Sequence, residues 1–276
     1  MAKRRRSGAL TRRQAAGIIA TLATGQLRAA ARVPVAIQLF SLRRQCEQDL
    51  EGTLAYVREI GFEGVELAGF HGRTAAQIRD MLAQHSLQCC GSHTPLPQLT
   101  GDKLAATIED NRTLQNRNLI VPGLPKEYEE SAATWQRAAD VFNNVAEKLR
   151  PEGMRVGYHN HDIEFRPVDG LLPWAVLYQQ TRPEVILQLD TGNARVGGAD
   201  PTALIKKFPG RAVTVHVKDY LPGHLDPVLG SSDFDWKRFT RACALHGSTE
   251  WYIIEHDCQR REEAQMCLDR FRALRS

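Results

Sequence analysis

Apolar residues in this chain gather into short runs separated by longer amphipathic stretches. The runs at residues 33–39, 64–67, 87–93, 119–123, 155–161, 185–190, 213–218 and 251–255 are rich in β-branched and aliphatic side chains and bounded by turn formers. Runs of this kind mark strands buried on both faces. Between them, apolar positions three and four apart at 50–60, 75–84, 103–114, 133–149, 201–208 and 235–245 predict amphipathic helices. Gly61, Gly210 and Gly247 each follow such a stretch, and Asp200-Pro201 supplies a cap and a first-turn proline, as helix ends and starts require. Eight strands alternating with helices call for a parallel sheet, and a closed (β/α)8 TIM barrel explains the count better than an open one. The first strand runs into QLFSLR (38–43), without the glycine-rich phosphate turn of an open nucleotide-binding sheet. A chain of 276 residues suits one such barrel.

Charge divides the chain in two. Lys3, Arg4, Arg5, Arg6, Arg12, Arg13, Arg28 and Arg32 fall in the first 34 residues, which hold no Asp or Glu, so the net charge of +4 belongs there and the remainder is acidic. A nucleic-acid-binding domain would carry the positive field itself, so nucleic acid is not an expected partner. The basic start is followed by AAGIIATLATG (15–25) and then by Ala29-Ala30-Ala31, the order of an export signal with its cleavage site. Arg12-Arg13 after Thr11 resembles a twin-arginine signal, although Ala15-Ala16 stand where a large apolar residue is usual. We therefore expect an export signal over residues 1–31, a barrel over 32–276 and a periplasmic location. The apolar stretch is too short to span a bilayer, and stable membrane insertion is not expected. Cys46, Cys89, Cys90, Cys243, Cys258 and Cys267 show no CxxC spacing and read as small core residues, with Cys258 the one near the strand ends discussed next.

Four of the strand runs, RVGYHNH (155–161), VILQLDTGN (185–193), VTVHVKD (213–219) and WYIIEHD (251–257), end in residues that ligate metals. Asp190, His216 and Glu255 stand at the ends of strands six, seven and eight, and carboxylates with imidazole suit a divalent ion. Taken singly, Asp190 reads as a cap for the next helix and His216 as a hydrogen-bonded core histidine; their shared position favours a site. Alternation puts His159 and His161 on one face of strand five and Asn160 and Asp162 on the other. Either histidine can reach a metal or a substrate, a free one can shuttle protons, and Glu164 in the following loop can complete a ligand set. Lys218 shares the inward side with His216, where it can stabilise a developing oxyanion or pair with a neighbouring carboxylate. Glu66, His93 and Asn193 are candidates for contacts to substrate hydroxyls. Trp174, Trp236 and Trp251 can stack on a sugar ring, but core packing is the commoner use.

These motifs carry a resemblance. IQLFSLR (37–43), IGFEGVELAGFHG (60–72), GYHNHDIEF (157–165), LQLDTGN (187–193), VHVKDY (215–220) and IIEHD (253–257) look like the sugar phosphate isomerase/epimerase group of the xylose isomerase-like TIM barrels, over residues 33–276. The resemblance implies a divalent metal (Mn, Co, Zn or Mg) held by Glu, Asp, His and Glu from strands five to eight. Asp190, His216 and Glu255 match the last three. At the first position the chain departs from the pattern: either His159 takes the place, or Glu164 supplies the carboxylate. Gly230-Ser231-Ser232-Asp233 also departs, where related chains often read Gly-x-Gly. Endonuclease IV members share the fold with a trinuclear metal cluster, and the acidic balance and missing ligands argue against that activity.

The resemblance implies proton transfer next to a carbonyl, giving isomerisation or epimerisation. Expulsion of a β-oxygen by a 3-keto-glycoside lyase is the close alternative. Export favours a non-phosphorylated carbohydrate as the small-molecule partner. The rivals are a non-catalytic periplasmic sugar-binding protein and a glycosidase with paired carboxylates. A homo-oligomer is compatible with all of these readings.

Overall fold

The computed structural model describes residues 32–224 and 226–276; the export signal expected over residues 1–31 lies outside them. Within residues 33–276, eight parallel strands close into one barrel in sequence order. They are β1 (Val35–Gln38), β2 (Gly64–Leu67), β3 (Gln88–His93), β4 (Asn118–Val121), β5 (Arg155–His159), β6 (Ile186–Asp190), β7 (Thr214–Val217) and β8 (Trp251–Ile254). The helices are α1 (Arg43–Gln48), α2 (Leu50–Glu59), α3 (Ala75–Gln84), α4 (Lys103–Thr113), α5 (Ala132–Leu149), α6 (Pro173–Gln180), α7 (Thr191–Val196), α8 (Pro201–Lys207), α9 (Trp236–Ala242) and α10 (Glu262–Leu274). None of the described helices is long and apolar enough to cross a membrane.

Successive residues of each strand face opposite sides, so every strand feeds two cores. Outward-facing Val65, Leu119, Val156, Leu187, Val215 and Tyr252 pack under the helices in the main core, which also takes Trp135 and Phe142 of α5, Leu54 of α2 and Phe271 of α10. Inward-facing residues change character with height. Ala36, Cys90, Ile253 and Trp251 fill one apolar floor and Ile120, Ile186 and Val213 another. Above that floor, Gln38, Glu66, His159, Gln188, Asp190, Thr214 and His216 are buried and polar. Trp174 and Trp236 lie in the main core and Trp251 in the floor, so none of the three tryptophans is placed to stack on a sugar. All six cysteines are free.

Helix boundaries follow local chemistry. Asp200 caps α8 by accepting from the Thr202 N–H at 2.8 Å, and Gly61 and Gly210 take the left-handed conformations that end α2 and α8. Gly247 does not: Ser248 carries the positive φ there, after the chain widens into a π-helical turn over Cys243–Gly247. The extra residue of that turn displaces the helix end by one position. Helix α6 begins on Pro173 and buries Trp174, Leu177 and Tyr178; at eight residues it is too short to show a clear apolar stripe in sequence.

Candidate active site

At the C-terminal rim the strand ends bring His159, Asp190, His216 and Glu255 together, with one potential ligand atom from each within 4.8 Å of all the others. Strands β6 and β7 pair Asp190 directly with His216. Glu255 follows β8, its N–H donating to Val217 O of β7. His159 closes the set from β5, with its Nε2 3.9 Å from Glu255 Oε2.

Hydrogen bonds decide which atoms face the centre. Gln188 Oε1 stands 3.1 Å from His159 Nδ1, and since an amide oxygen only accepts, Nδ1 carries the proton and Nε2 keeps its lone pair. Gln188 itself is oriented by donating through Nε2 to Glu66 Oε1 at 2.6 Å and Thr214 Oγ1 at 3.0 Å. His216 donates from Nε2 to Glu66 Oε2 at 2.6 Å and turns Nδ1 to Glu255 Oε2, also at 2.6 Å. Asp190 divides its two oxygens. Oδ1 caps α7 by accepting from the Asn193 N–H at 2.6 Å, while Oδ2 is buried with no hydrogen-bond partner among the described residues.

Charge follows from this packing. Burial pushes the Asp190 carboxyl up to about 7, against Lys218 and His216, which favour its ionised form. Burial alone would also disfavour a charged His216, yet Glu66 and Glu255 raise its pKa to about 10. Glu255 is held well below the usual carboxylate range, the Lys218 ammonium and His216 outweighing its burial. The Lys218 Nζ lies 3.4 Å from Glu255 Oε1 and stays cationic. Carboxylates converging on two imidazoles, with one buried oxygen lacking any donor, make a donor set that fits a divalent ion.

The remaining sequence candidates fall in different places. His161 is exposed at the mouth, its ring 5.3 Å from that of His159. Lys218 sits where alternation puts it, and Gly192 makes room: a Cβ there would come within 2.8 Å of Lys218 Cγ. His93 stacks on the His216 ring, centroids 5.5 Å apart, and reaches Glu66 at 3.2 Å. Glu66 is not at substrate level. It is wholly buried, accepts from Gln38, Gln188 and His216, and is held far below its ordinary pKa by His93 and His216 in spite of burial. Glu164 is not in the cluster either. It is buried behind β5, where it accepts from the Tyr158 hydroxyl and, at 2.8 Å, from the His161 N–H; His159 holds the fourth place. Asn193 donates to Asn160 O at 3.1 Å, which ties its side chain to the β5 end rather than to the pocket. Gln188 and Gln38 went unremarked in the sequence, although the alternation through LQLD (187–190) puts Gln188 on the same face as Asp190.

Beside the cluster lies a cavity of about 590 Å³, walled by Phe40, Phe70, Pro95 and Pro122 with Ser92, Thr94, Asp110 and Asn111. His93 lines this cavity and, outside the four-residue cluster, presents a ring nitrogen within 4.8 Å of ligand atoms of His159 and His216. None of the described lining residues is Lys or Arg.

Residues 54–275 match the xylose isomerase-like TIM barrel family. The chain belongs to that family. It is 21% identical over 206 residues to inosose dehydratase 2 of Bacillus cereus, covering 67% of this chain and 68% of that one. To the inosose dehydratase of Klebsiella pneumoniae it is 26% identical over 192 residues, covering 61% and 63%. A sugar phosphate isomerase/epimerase structure from Parabacteroides distasonis superposes with a TM-score of 0.74 at 23% identity, covering 85% of this chain and 96% of that one. This family member thus shares its barrel with sugar isomerase/epimerase structures and its sequence pattern with carbohydrate-modifying enzymes.

Proposed function

We propose that this family member catalyses metal-assisted proton transfer at the carbon beside the carbonyl of a non-phosphorylated keto-sugar. The observation that carries the reading is adjacency: a cavity with no Lys or Arg among its described lining residues meets, at His93, the donor set at the barrel rim. His159, Asp190, His216 and Glu255 would hold the ion, and two imidazoles suit Mn, Co or Zn better than Mg. Such an ion supplies Lewis acidity that makes the C–H between a carbonyl and its neighbouring hydroxyl more acidic.

The chain's own groups divide the remaining work. Partial desolvation and Lys218 lower the His161 pKa, so its ring is neutral and can take the carbon-bound proton. Glu164 fixes the turn that presents this ring, through the His161 N–H. The Lys218 Nζ, kept charged by Glu255 and Asp190, offsets the negative charge that develops on the carbonyl oxygen. A phosphate dianion would find no Lys or Arg among the described lining residues, which is compatible with reading residues 1–31 as an export signal and placing the enzyme in the periplasm.

The cavity also favours elimination over epimerisation. At about 590 Å³ it exceeds what one sugar ring needs and falls within the roughly 300–1,000 Å³ of small-molecule sites. Phe40 and Phe70 offer apolar surface to a substituent leaving from the β-carbon. The relatives named above are dehydratases, enzymes that remove water. The test incubates the metal-loaded chain in D2O with ketoses, inososes and 3-keto-glycosides. The expected result is solvent deuterium beside the carbonyl or release of the β-substituent, lost in His161→Gln. Absence of exchange and release across the panel overturns the reading.

A further inference from the structure

Beyond Glu255 the chain continues through His256, Asp257 and Cys258 into the start of α10, and a second group of metal-ligating side chains gathers there. His256, Cys258 and Glu263 each present a ligand atom within 4.8 Å of the other two. All three lie outside the rim cluster, which contains no sulfur. The His256 ring is 7% exposed. Its Nε2 faces Glu263 Oε2 at 3.6 Å, and its Nδ1 faces Asp226 Oδ1 at 3.4 Å. Among the described residues these last two atoms face only each other, as an ion pair without an aligned hydrogen bond.

We propose that His256 Nε2, Cys258 Sγ and the Glu263 carboxylate form a second cation site, of the zinc class, with Asp226 orienting the histidine. Thiolate, imidazole and carboxylate together select zinc-like ions over magnesium or calcium. A zinc-ligating imidazole commonly donates its other N–H to a carboxylate. Coordination at Nε2 fixes the proton on Nδ1, where Asp226 Oδ1 is the acceptor at hand. Binding displaces the Cys258 thiol proton to solvent, so the ion meets a thiolate. Glu263 Oε2 accepts the Gln259 N–H at 2.8 Å and, more weakly, the Arg260 N–H at 3.4 Å, which together hold the carboxylate toward the group. A cavity of about 200 Å³ lined by Asp226, His256 and Glu263 gives an entry path and room for a fourth ligand such as water.

The site would act as a clip. Asp226 belongs to the segment between β7 and α9, and its Oδ2 accepts the Asp257 N–H. An ion bound through His256 therefore pins that segment against the β8 end, one residue from Glu255.

Titrating the full chain with Co²⁺ tests this without reference to catalysis. The expected result is a near-ultraviolet thiolate-to-cobalt charge-transfer band that persists when Asp190→Ala and His216→Ala remove the rim cluster. It should vanish in Cys258→Ser and need a higher cobalt concentration in Glu263→Gln. With Zn²⁺, X-ray absorption should show a sulfur neighbour at about 2.3 Å and Cys258→Ser should lose one equivalent of zinc per chain. Absence of the cobalt band in the unmodified chain, or its survival in Cys258→Ser, overturns the proposal. Either result leaves the rim cluster untouched.

Discussion

Glu66 shows how much one buried carboxylate can organise. It accepts from Gln38, Gln188 and His216, and through the last two it sets the direction of both imidazoles in the rim cluster. Gly91 makes this possible, since a Cβ there would stand 2.6 Å from Glu66 Oε1. Glu66→Gln would place an amide nitrogen among groups that are already donors and leave the His216 Nε2–H without its anion. We expect metal affinity to fall by about 10–100-fold, as for other partners of ligand histidines, measured by competition with a chelator. Unchanged affinity would reduce Glu66 to a packing residue. Its role was not legible in the sequence because height inside a barrel depends on strand stagger, and nothing local to GVEL (64–67) reports it. Asp190 and His216 were legible because each interrupts an apolar run at its end.

The turn after β5 is the element where sequence reasoning and structure part. Period-2 alternation holds through His159 and then stops, because the strand stops there. Residues Ile163–Phe165 form a single helical turn that carries Glu164 behind the barrel wall, a direction alternation cannot predict. Burial raises the Glu164 carboxyl to about 7. The unfolded chain ionises this group near pH 4.5, whereas the folded one resists until about 7. Its contribution to stability is therefore present at low pH and lost as pH rises through that range. Glu164→Gln has no charge to bury, so its melting temperature should gain on the parent's between pH 5 and pH 8. The relative gain should correspond to on the order of 1–3 kcal/mol. Calorimetric scans at several pH values decide the matter: a constant offset rules it out. The eight strands and the helices α2, α3, α4, α5, α8 and α9 were readable, because strands buried on both faces leave continuous apolar runs and longer helices leave apolar stripes; the helices α1, α6, α7 and α10 were not predicted from the sequence.

For the whole molecule, ion binding and folding are linked. The rim donor set belongs to four separate strands or strand ends, so it exists only in the closed barrel, and an ion that binds there stabilises the fold by mass action. At a free concentration about 100-fold above Kd the gain is roughly 2.7 kcal/mol. Protons compete for the same atoms, with Asp190 titrating at about 7 and His216 at about 10. The rise in melting temperature on adding Mn²⁺ should therefore shrink as pH falls from 8 to 6, and disappear in Asp190→Ala; an increment independent of pH would mean the ion binds elsewhere. Asp190 adds a historical consequence. One of its oxygens starts α7 and the other faces the rim donor set, so selection for a folded chain alone would keep a capping residue here after the chemistry had lapsed. Asn caps a helix as well as Asp and has nearly its shape, while lacking the charge. In descendants of this chain, Asn at this position would mark a barrel that has retired from catalysis, whereas the persistence of Asp would say little about whether it still works.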